Sequence, residues 1–219
     1  ELGREYARAN SDRWRTEIEA AKPDDLMVLT YTSGTTGPPK GAMITQQNMM
    51  FMMQCLQSCY GIHEDDEQLG FLPLAHVAGR MFYTFSLIES RAVINLVESP
   101  ETVVRDLQEV EPTIHFAVPR VWEKQFSTVA IKLKEATWLG RVAYDAGLKV
   151  GQKRAAYLKT LTRVPLYLKC AFFVFDNLVF RNIRRALGID KCRWLSTAAA
   201  PIAPDLIDWY WSIGKPMYE

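Results

Sequence analysis

A short segment near the start of the chain combines hydroxyl side chains, glycines and one lysine. It reads TYTSGTTGPPKG and runs from Thr30 to Gly41. Glycines allow the backbone to approach a ligand closely and to turn successive N–H groups toward an anion. Because the hydroxyl groups and the lysine add donors and a positive charge, the segment predicts a phosphate site, with a triphosphate as the natural ligand. The residues concerned are Thr32, Ser33, Thr35, Thr36 and Lys40 with Gly34, Gly37 and Gly41.

The segments on either side of this loop support the same interpretation. The apolar run LMVLTY precedes it and predicts a short strand covered on both faces, and a helix is predicted from near Thr45 to near Gly61. The loop is not a Walker A motif, because its lysine follows two prolines and is itself followed by glycine. A flexible linker is the alternative, but a linker needs neither a lysine at a set distance nor a strand directly before it.

Composition narrows the classes of protein that remain. The 219 residues are 48% hydrophobic and 23% charged, as in soluble globular proteins, and the net charge of +1 gives no general reason to expect a nucleic-acid partner. The four cysteines show neither metal-ligand spacing nor the density of a secreted scaffold, which favours reduced thiols in the cytoplasm. The sequence begins without methionine and without a signal peptide, so we expect the chain to begin inside a longer protein.

The order of predicted elements indicates an α/β fold with largely parallel sheets and flanking helices. Short apolar runs such as RAVINLVE and TIHFAVP alternate with helical segments such as SPETVVRDLQEVEP, in which Ser99 is the predicted N-cap. From about 123 to 188 the pattern changes to long, basic, helix-prone sequence, which we interpret as a helical insertion within one unit. Within it, residues 164–180 are strongly apolar but contain Lys169 and Asp176, so a buried or amphipathic helix is favoured over a membrane span. The basic residues around that stretch leave peripheral contact with a membrane as a second interpretation.

The segment YTSGTTGPPKGAMITQQN resembles the signature phosphate loop of the adenylate-forming (AMP-binding) enzyme superfamily. The resemblance implies that the loop binds the ATP phosphates through Thr32, Ser33, Gly34, Thr35, Thr36, Gly37 and Lys40. It also implies that Lys40 and Thr36 act in catalysis as electrostatic stabilisers and not as nucleophiles.

Three further motifs follow in the order of this family. LPLAHVAGR resembles the segment whose histidine borders the acyl pocket, which would place His76 at the substrate, although a single histidine is as often structural. PTIHFAVPRVWEK is similar to long-chain fatty acyl-CoA synthetases of the bubblegum type, and we favour core positions for its His115 and Trp122. STAAAPI resembles the adenine loop and implies that Ala199, Ala200 and Pro201 contact the adenine ring. Ala198 stands where the family pattern has glycine, so its methyl group is expected to crowd the nucleotide.

The resemblance implies a long-chain fatty acid–CoA ligase with ATP and Mg²⁺, and with coenzyme A as co-substrate. No metal-ligating residue is predicted in this chain. We expect residues 1–219 to form the central part of the AMP-binding N-terminal domain, with the C-terminal domain absent and the chain inactive alone. An acyl-AMP ligase that donates to a carrier protein and a non-catalytic nucleotide- or lipid-binding fragment are the alternatives. The expected location is the cytoplasm, with peripheral membrane contact as the route by which a lipid substrate arrives.

Overall fold

A computed structural model of the chain describes residues 1–32 and 37–219. The chain divides into two compact units, which are described separately. The first contains residues 1–63 and 72–91, and the second contains residues 64–71 and 92–219.

The first unit contains one antiparallel hairpin and several helices. The hairpin pairs β1 with β2, and its register places Thr32 opposite Lys40. The helix α3 begins with a capping box, in which the Asn48 N–H donates to Thr45 Oγ1 at 3.2 Å and the Thr45 N–H donates to Asn48 Oδ1 at 3.1 Å. It ends at Gly61 in the left-handed region, as predicted. The elements are α1 Leu2–Ala9, α2 Arg13–Ala20, β1 Leu26–Thr32, β2 Lys40–Thr45, α3 Gln46–Tyr60, α4 Val77–Arg80, a π-helical turn Met81–Phe85 and α5 Ser86–Ser90.

The hairpin corrects two expectations for this part of the chain. A second strand lies between the phosphate loop and α3, where the sequence predicted loop followed directly by helix. The strand β1 is exposed or half-buried along its length and is not covered on both faces. Pro38 and Pro39 do not start a helix, because β2 begins at Lys40.

The second unit is built on parallel strands. β3 pairs with β4, and β5, β6 and β7 form a three-stranded sheet in that order, with every pair parallel. The Thr113 N–H donates to the Glu67 carbonyl at 3.0 Å and joins the start of β5 to β3. The predicted parallel α/β fold is therefore confirmed. The elements are β3 Glu67–Gly70, β4 Val93–Leu96, α6 Val103–Val110, β5 Ile114–Phe116, α7 Pro119–Glu135, α8 Trp138–Lys159, α9 Leu166–Phe175, a π-helical turn Asp176–Phe180, α10 Arg181–Ala186, β6 Trp194–Ser196, α11 Pro204–Ser212 and β7 Met217–Tyr218.

The helix α6 begins later than the sequence predicts. Ser99 and Pro100 form a turn, and the first helical residue is Val103. The Thr102 hydroxyl donates to the Ser99 carbonyl at 2.9 Å and closes that turn, so Ser99 does not cap the helix. The long helical region between β5 and β6 is confirmed, since α7 to α10 occupy it almost without interruption.

A buried ionic network attaches this helical region to the rest of the unit. The Arg184 side chain is 8% exposed, donates to Asp190 Oδ1 at 2.7 Å and also pairs with Asp176. Its Nη1 donates to the Ile213 carbonyl at 2.9 Å, at the end of α11. Nearby, α8 and α11 approach so closely that a Cβ on Gly151 would lie 2.0 Å from the Ser212 carbonyl oxygen. These contacts fix the helical region against α11 and against the turn at Asp190.

Candidate functional site

The base of the predicted phosphate loop is held by the hairpin. Thr32 Oγ1 donates to the Lys40 carbonyl at 3.3 Å, and both residues are exposed. Gly37 is also exposed, and a Cβ built on it would meet no atom within 4 Å. The register therefore places Thr32 and Lys40, both exposed, directly opposite each other at the end of the hairpin. The predicted residues Ser33, Gly34, Thr35 and Thr36 lie outside the described residues.

His76 caps the short helix α4 in the first unit. Its Nδ1 accepts a hydrogen bond from the Ala78 N–H at 3.1 Å, so the neutral ring carries its proton on Nε2. The turn before it is tight, because a Cβ on Gly79 would lie 2.5 Å from the Pro73 carbonyl oxygen. The His76 side chain is exposed. The capping role thus leaves an N–H donor suited to an anionic oxygen, and the structural and functional interpretations of this histidine are compatible.

The predicted adenine loop follows β6 in the second unit and is exposed from Ala198 to Pro201. Hydrogen bonds hold it at both ends: the Thr197 N–H donates to the Tyr218 carbonyl at 2.9 Å, and the Ile202 N–H donates to Glu219 Oε1 at 3.3 Å. Ala199 has φ of 76°, in a region that an alanine rarely adopts. Crowding of the nucleotide by the Ala198 methyl group stays a prediction, and the residue with a strained backbone is its neighbour Ala199. Residues with a strained backbone are frequent at binding sites, where contacts with the surrounding structure stabilise the unfavourable conformation.

An apolar groove that the sequence did not predict lies in the second unit, with a volume of about 420 Å³. It runs between α6 and α7 and reaches the end of α10 at Leu187. Three of its residues, Phe71, Pro100 and Val118, come shortly after β3, β4 and β5, at the carboxyl ends of parallel strands, where α/β sheets bind ligands. The apolar lining includes Phe71, Val103, Val104, Leu107, Val118, Val121 and Leu187, and the charged lining consists of Glu101, Arg120, Lys124 and Lys132.

A stack of aromatic rings lies behind this groove. Phe71 lines the groove, and its ring centroid is 5.9 Å from that of His115, which is 1% exposed. His115 in turn meets Trp122 edge to face at 5.4 Å, and the Trp122 indole donates to the Ala117 carbonyl at 3.0 Å. Burial lowers the pKa of His115 to about 4, so the ring is neutral at physiological pH. The core positions favoured for His115 and Trp122 are confirmed.

Neither a metal cluster nor a spanning helix is found in residues 1–32 and 37–219. No group of three histidine, cysteine, aspartate or glutamate side chains there could hold a metal ion. None of the helices there is both long and apolar enough to cross a bilayer.

The predicted site residues fall into two groups. Thr32, Gly37, Lys40 and His76 belong to the first unit, whereas the loop from Ala199 to Pro201 belongs to the second. Within the second unit, the adenine loop and the groove both follow the carboxyl ends of parallel strands. The combination of both groups into one nucleotide and acyl site stays a prediction.

Comparison with known proteins identifies the family of this chain. Residues 2–219 match the family model described as AMP-binding enzyme, and the chain belongs to that family. It is similar to the Mycobacterium tuberculosis protein fadD11, which carries the name of a fatty-acid–CoA ligase, with 33% identity over 98% of this chain and 38% of that protein. It is also similar to a long-chain-fatty-acid–CoA ligase, ACSBG2, of Xenopus laevis, with 31% identity over 92% of this chain and 28% of that protein. The chain thus spans well under half the length of the curated relatives that it matches.

Solved structures confirm the fold. The adenylation domain of a carboxylate reductase from Mycobacterium chelonae matches 90% of this chain and 26% of its own, with 22% identity and a TM-score of 0.55. O-succinylbenzoate coenzyme A synthetase from Bacillus subtilis, solved with AMP, matches 90% of this chain and 30% of its own, with 21% identity and a TM-score of 0.52. The fold of this chain is therefore part of an adenylate-forming fold.

Proposed function

We propose that the whole protein is an ATP-dependent long-chain fatty acid–CoA ligase, and that residues 1–219 are the central part of its AMP-binding domain. A fatty carboxylate oxygen would attack the α-phosphorus of ATP, and the bond from that phosphorus to the bridging oxygen of pyrophosphate would break. The thiolate of coenzyme A would then attack the acyl carbon, with AMP as leaving group. The names of the relatives support this reaction, and we propose it for the whole protein because this chain spans only part of their length.

The observation that carries the proposal is the groove beside α7. Its volume of about 420 Å³ lies within the roughly 300–1,000 Å³ typical of ligand pockets. The apolar part of its lining is formed chiefly by valine, leucine and phenylalanine side chains, which suit a hydrocarbon chain. Its position after three parallel strands would place the carboxylate end of such a chain on the side where the adenine loop also emerges. A long acyl chain therefore fits this groove better than a small polar acid does.

The phosphate loop would stabilise the departing pyrophosphate. Lys40 supplies a fixed positive charge, and the Thr32 hydroxyl lies across the hairpin from it. We assign Ser33, Gly34, Thr35, Thr36 and Gly37 to the same task. Preorganised donors of this kind act on charge as it develops and are most effective in a site that excludes water.

The remaining two elements would position the substrates. His76 would donate its Nε2–H to the fatty carboxylate, since its Nδ1 is already occupied by the Ala78 N–H. The exposed backbone from Ala199 to Pro201 would lie against the adenine ring. The strained φ of Ala199 supports this role, because it shapes the loop at the cost of local stability.

Magnesium would accompany ATP and be held chiefly by the phosphates, as is usual for this ion. We assign it no ligand from the described residues. Coenzyme A is the proposed acceptor. We further propose a cytoplasmic protein in peripheral contact with a membrane, because the four cysteines are free and the proposed substrate partitions into lipid.

The test is pyrophosphate release by the whole protein with ATP and either palmitate or acetate. Palmitate is expected to stimulate release strongly and acetate weakly, and Lys40→Ala is expected to lower the rate about 100-fold or more, as loss of one oxyanion donor does in other enzymes. Absence of stimulation by any carboxylic acid would remove the ligase proposal. If the acyl-adenylate forms but transfers its acyl group only to a carrier protein, the acceptor is that protein and not coenzyme A.

A further inference from the structure

The helix α9 and the π-helical turn after it expose a continuous apolar stripe. Leu166 and Tyr167 lie seven positions before Phe173 and Val174, respectively, and Val174 lies four positions before Leu178, so these side chains project from one side of the helix. Such a stripe normally faces a core, yet here its side chains are in solvent. The members are Leu166 at 75% exposure, Tyr167 at 70%, Phe173 at 70%, Val174 at 51% and Leu178 at 66%.

The opposite side of the same helix is fixed in the core. Leu168 is 3% exposed, and the rings of Phe172 and Phe180 lie 5.7 Å apart within the hydrophobic core. The Arg154 guanidinium lies 4.3 Å from the centroid of the Phe172 ring. The helix therefore has two apolar sides, and it cannot rotate to bury the exposed stripe without removing Phe172 and Phe180 from the core.

Positive charge surrounds the stripe. Between residues 161 and 190 the sequence has five basic and two acidic residues, and both acidic residues, Asp176 and Asp190, pair with the buried Arg184. Arg181 and Arg185 each lie 3.6 Å from the Asp190 carboxylate, so the net charge of the segment is positive. Arg163 and Lys169 have no ion-pair partner within 4 Å in the described part of the chain. Leu161, at the tip of the preceding turn, is 95% exposed and has a positive φ of 54°.

We infer that this stripe is the surface by which the protein docks on an anionic lipid membrane. An apolar helical face with arginine and lysine along its edges lies in the membrane interface, with the apolar side chains among the acyl chains and the cations at the headgroups. The basic edges disfavour a second copy of the same stripe as the partner, since like charges would meet. The inference names the surface for the proposed membrane contact, and it does not depend on the ligase reaction.

Vesicle flotation of the whole protein tests the inference. We expect the protein to float with phosphatidylglycerol-containing vesicles at low salt, and weakly or not at all with pure phosphatidylcholine. Phe173→Glu and Leu178→Glu should each weaken binding about tenfold or more, as expected when an inserted apolar side chain is replaced by a charge. Lys169→Gln should weaken it about fivefold, the usual effect of one lysine near an anionic surface.

The control is Ile131→Glu on α7, because Ile131 is 59% exposed but lies outside the stripe. It is expected to float as the unmodified protein does. Turnover of water-soluble octanoate, measured without lipid, reports separately on the ligase reaction. The inference is wrong if the unmodified protein stays with the soluble fraction, or if Ile131→Glu loses as much binding as Phe173→Glu. It is also wrong if Phe173→Glu lowers the melting temperature as a core substitution would, because another part of the protein then covers the stripe.

Discussion

Filling the far end of the groove should shorten the acyl chain that the protein accepts. Thr128 lines the groove on α7, ten residues beyond Val118, so that about 15 Å of helix separates them. Thr128 is exposed, and its hydroxyl only donates to the Lys124 carbonyl at 2.9 Å, so Thr128→Trp would place an indole at the groove without disturbing the core.

The size of the effect follows from apolar burial. Each buried methylene contributes about 0.8 kcal/mol, so an indole that displaces two methylenes would cost about 1.6 kcal/mol, or about 15-fold in kcat/KM. The kcat/KM for palmitate should fall by this factor, whereas the kcat/KM for octanoate, which does not reach the far end of the groove, should be nearly unchanged. The assay is the ratio of kcat/KM for palmitate to that for octanoate in the whole protein.

The neighbouring Ser127 provides a matched control. It is also an exposed hydroxyl residue on α7, and it donates to the carbonyl four residues before it, at 2.8 Å, but it does not line the groove. Ser127→Trp should leave the palmitate to octanoate ratio unchanged. Equal ratios in the two variants would refute the assignment of the groove to the acyl chain.

Three further predictions concern stability, each measured as a free energy of unfolding. Ala199→Gly should stabilise the protein by about 0.5–1 kcal/mol, because removing the backbone strain of a left-handed alanine outweighs the entropy that glycine adds to the unfolded chain. Ala198→Gly should destabilise the protein by a similar amount. If both substitutions destabilise the protein, this reasoning is wrong. Arg184→Met should lower the free energy of unfolding by about 3–5 kcal/mol, because it leaves two aspartates without their buried partner. The control Arg185→Met removes an exposed arginine and should lower it by less than about 1 kcal/mol. Similar losses of stability in the two variants would refute the buried network. His115 has a pKa of 6.5 in the unfolded chain and of about 4 in the folded one, so it binds a proton more readily when unfolded. The free energy of unfolding therefore falls as the pH drops through this window, by about 2 kcal/mol at pH 5. His115→Gln should remove that pH-dependent component, and an unchanged pH dependence would show that the histidine is not buried in its neutral form.

Local signals in the sequence were sufficient for most of the elements. The helix α3 was predicted from Thr45 to Gly61 because its cap and its left-handed C-terminal residue are both encoded locally. Strand β2 was missed because it starts with Lys40 and Gly41, which carry no apolar pattern, and because it depends on pairing with β1, which the local sequence does not show. The helix α6 starts after Ser99 because the Thr102 hydroxyl closes a turn with the Ser99 carbonyl, a contact that competes with capping.

The site was only partly predictable for a similar reason. Short motifs predict site roles for Lys40, His76 and the loop from Ala199 to Pro201, since each motif lies within a single turn or loop. The groove depends on side chains from Phe71 to Leu187, which come together only through the parallel sheet. The apolar character of residues 164–180 was visible in the sequence, but which side of that helix stays in solvent is decided by the core contacts of Phe172 and Phe180.

The most direct test of the central claim is identification of the products by mass spectrometry. The whole protein, supplied with ATP and palmitate, should form palmitoyl-AMP, and addition of coenzyme A should convert it to palmitoyl-CoA with release of AMP. Absence of an acyl-adenylate with palmitate and with shorter carboxylic acids would contradict the proposed function.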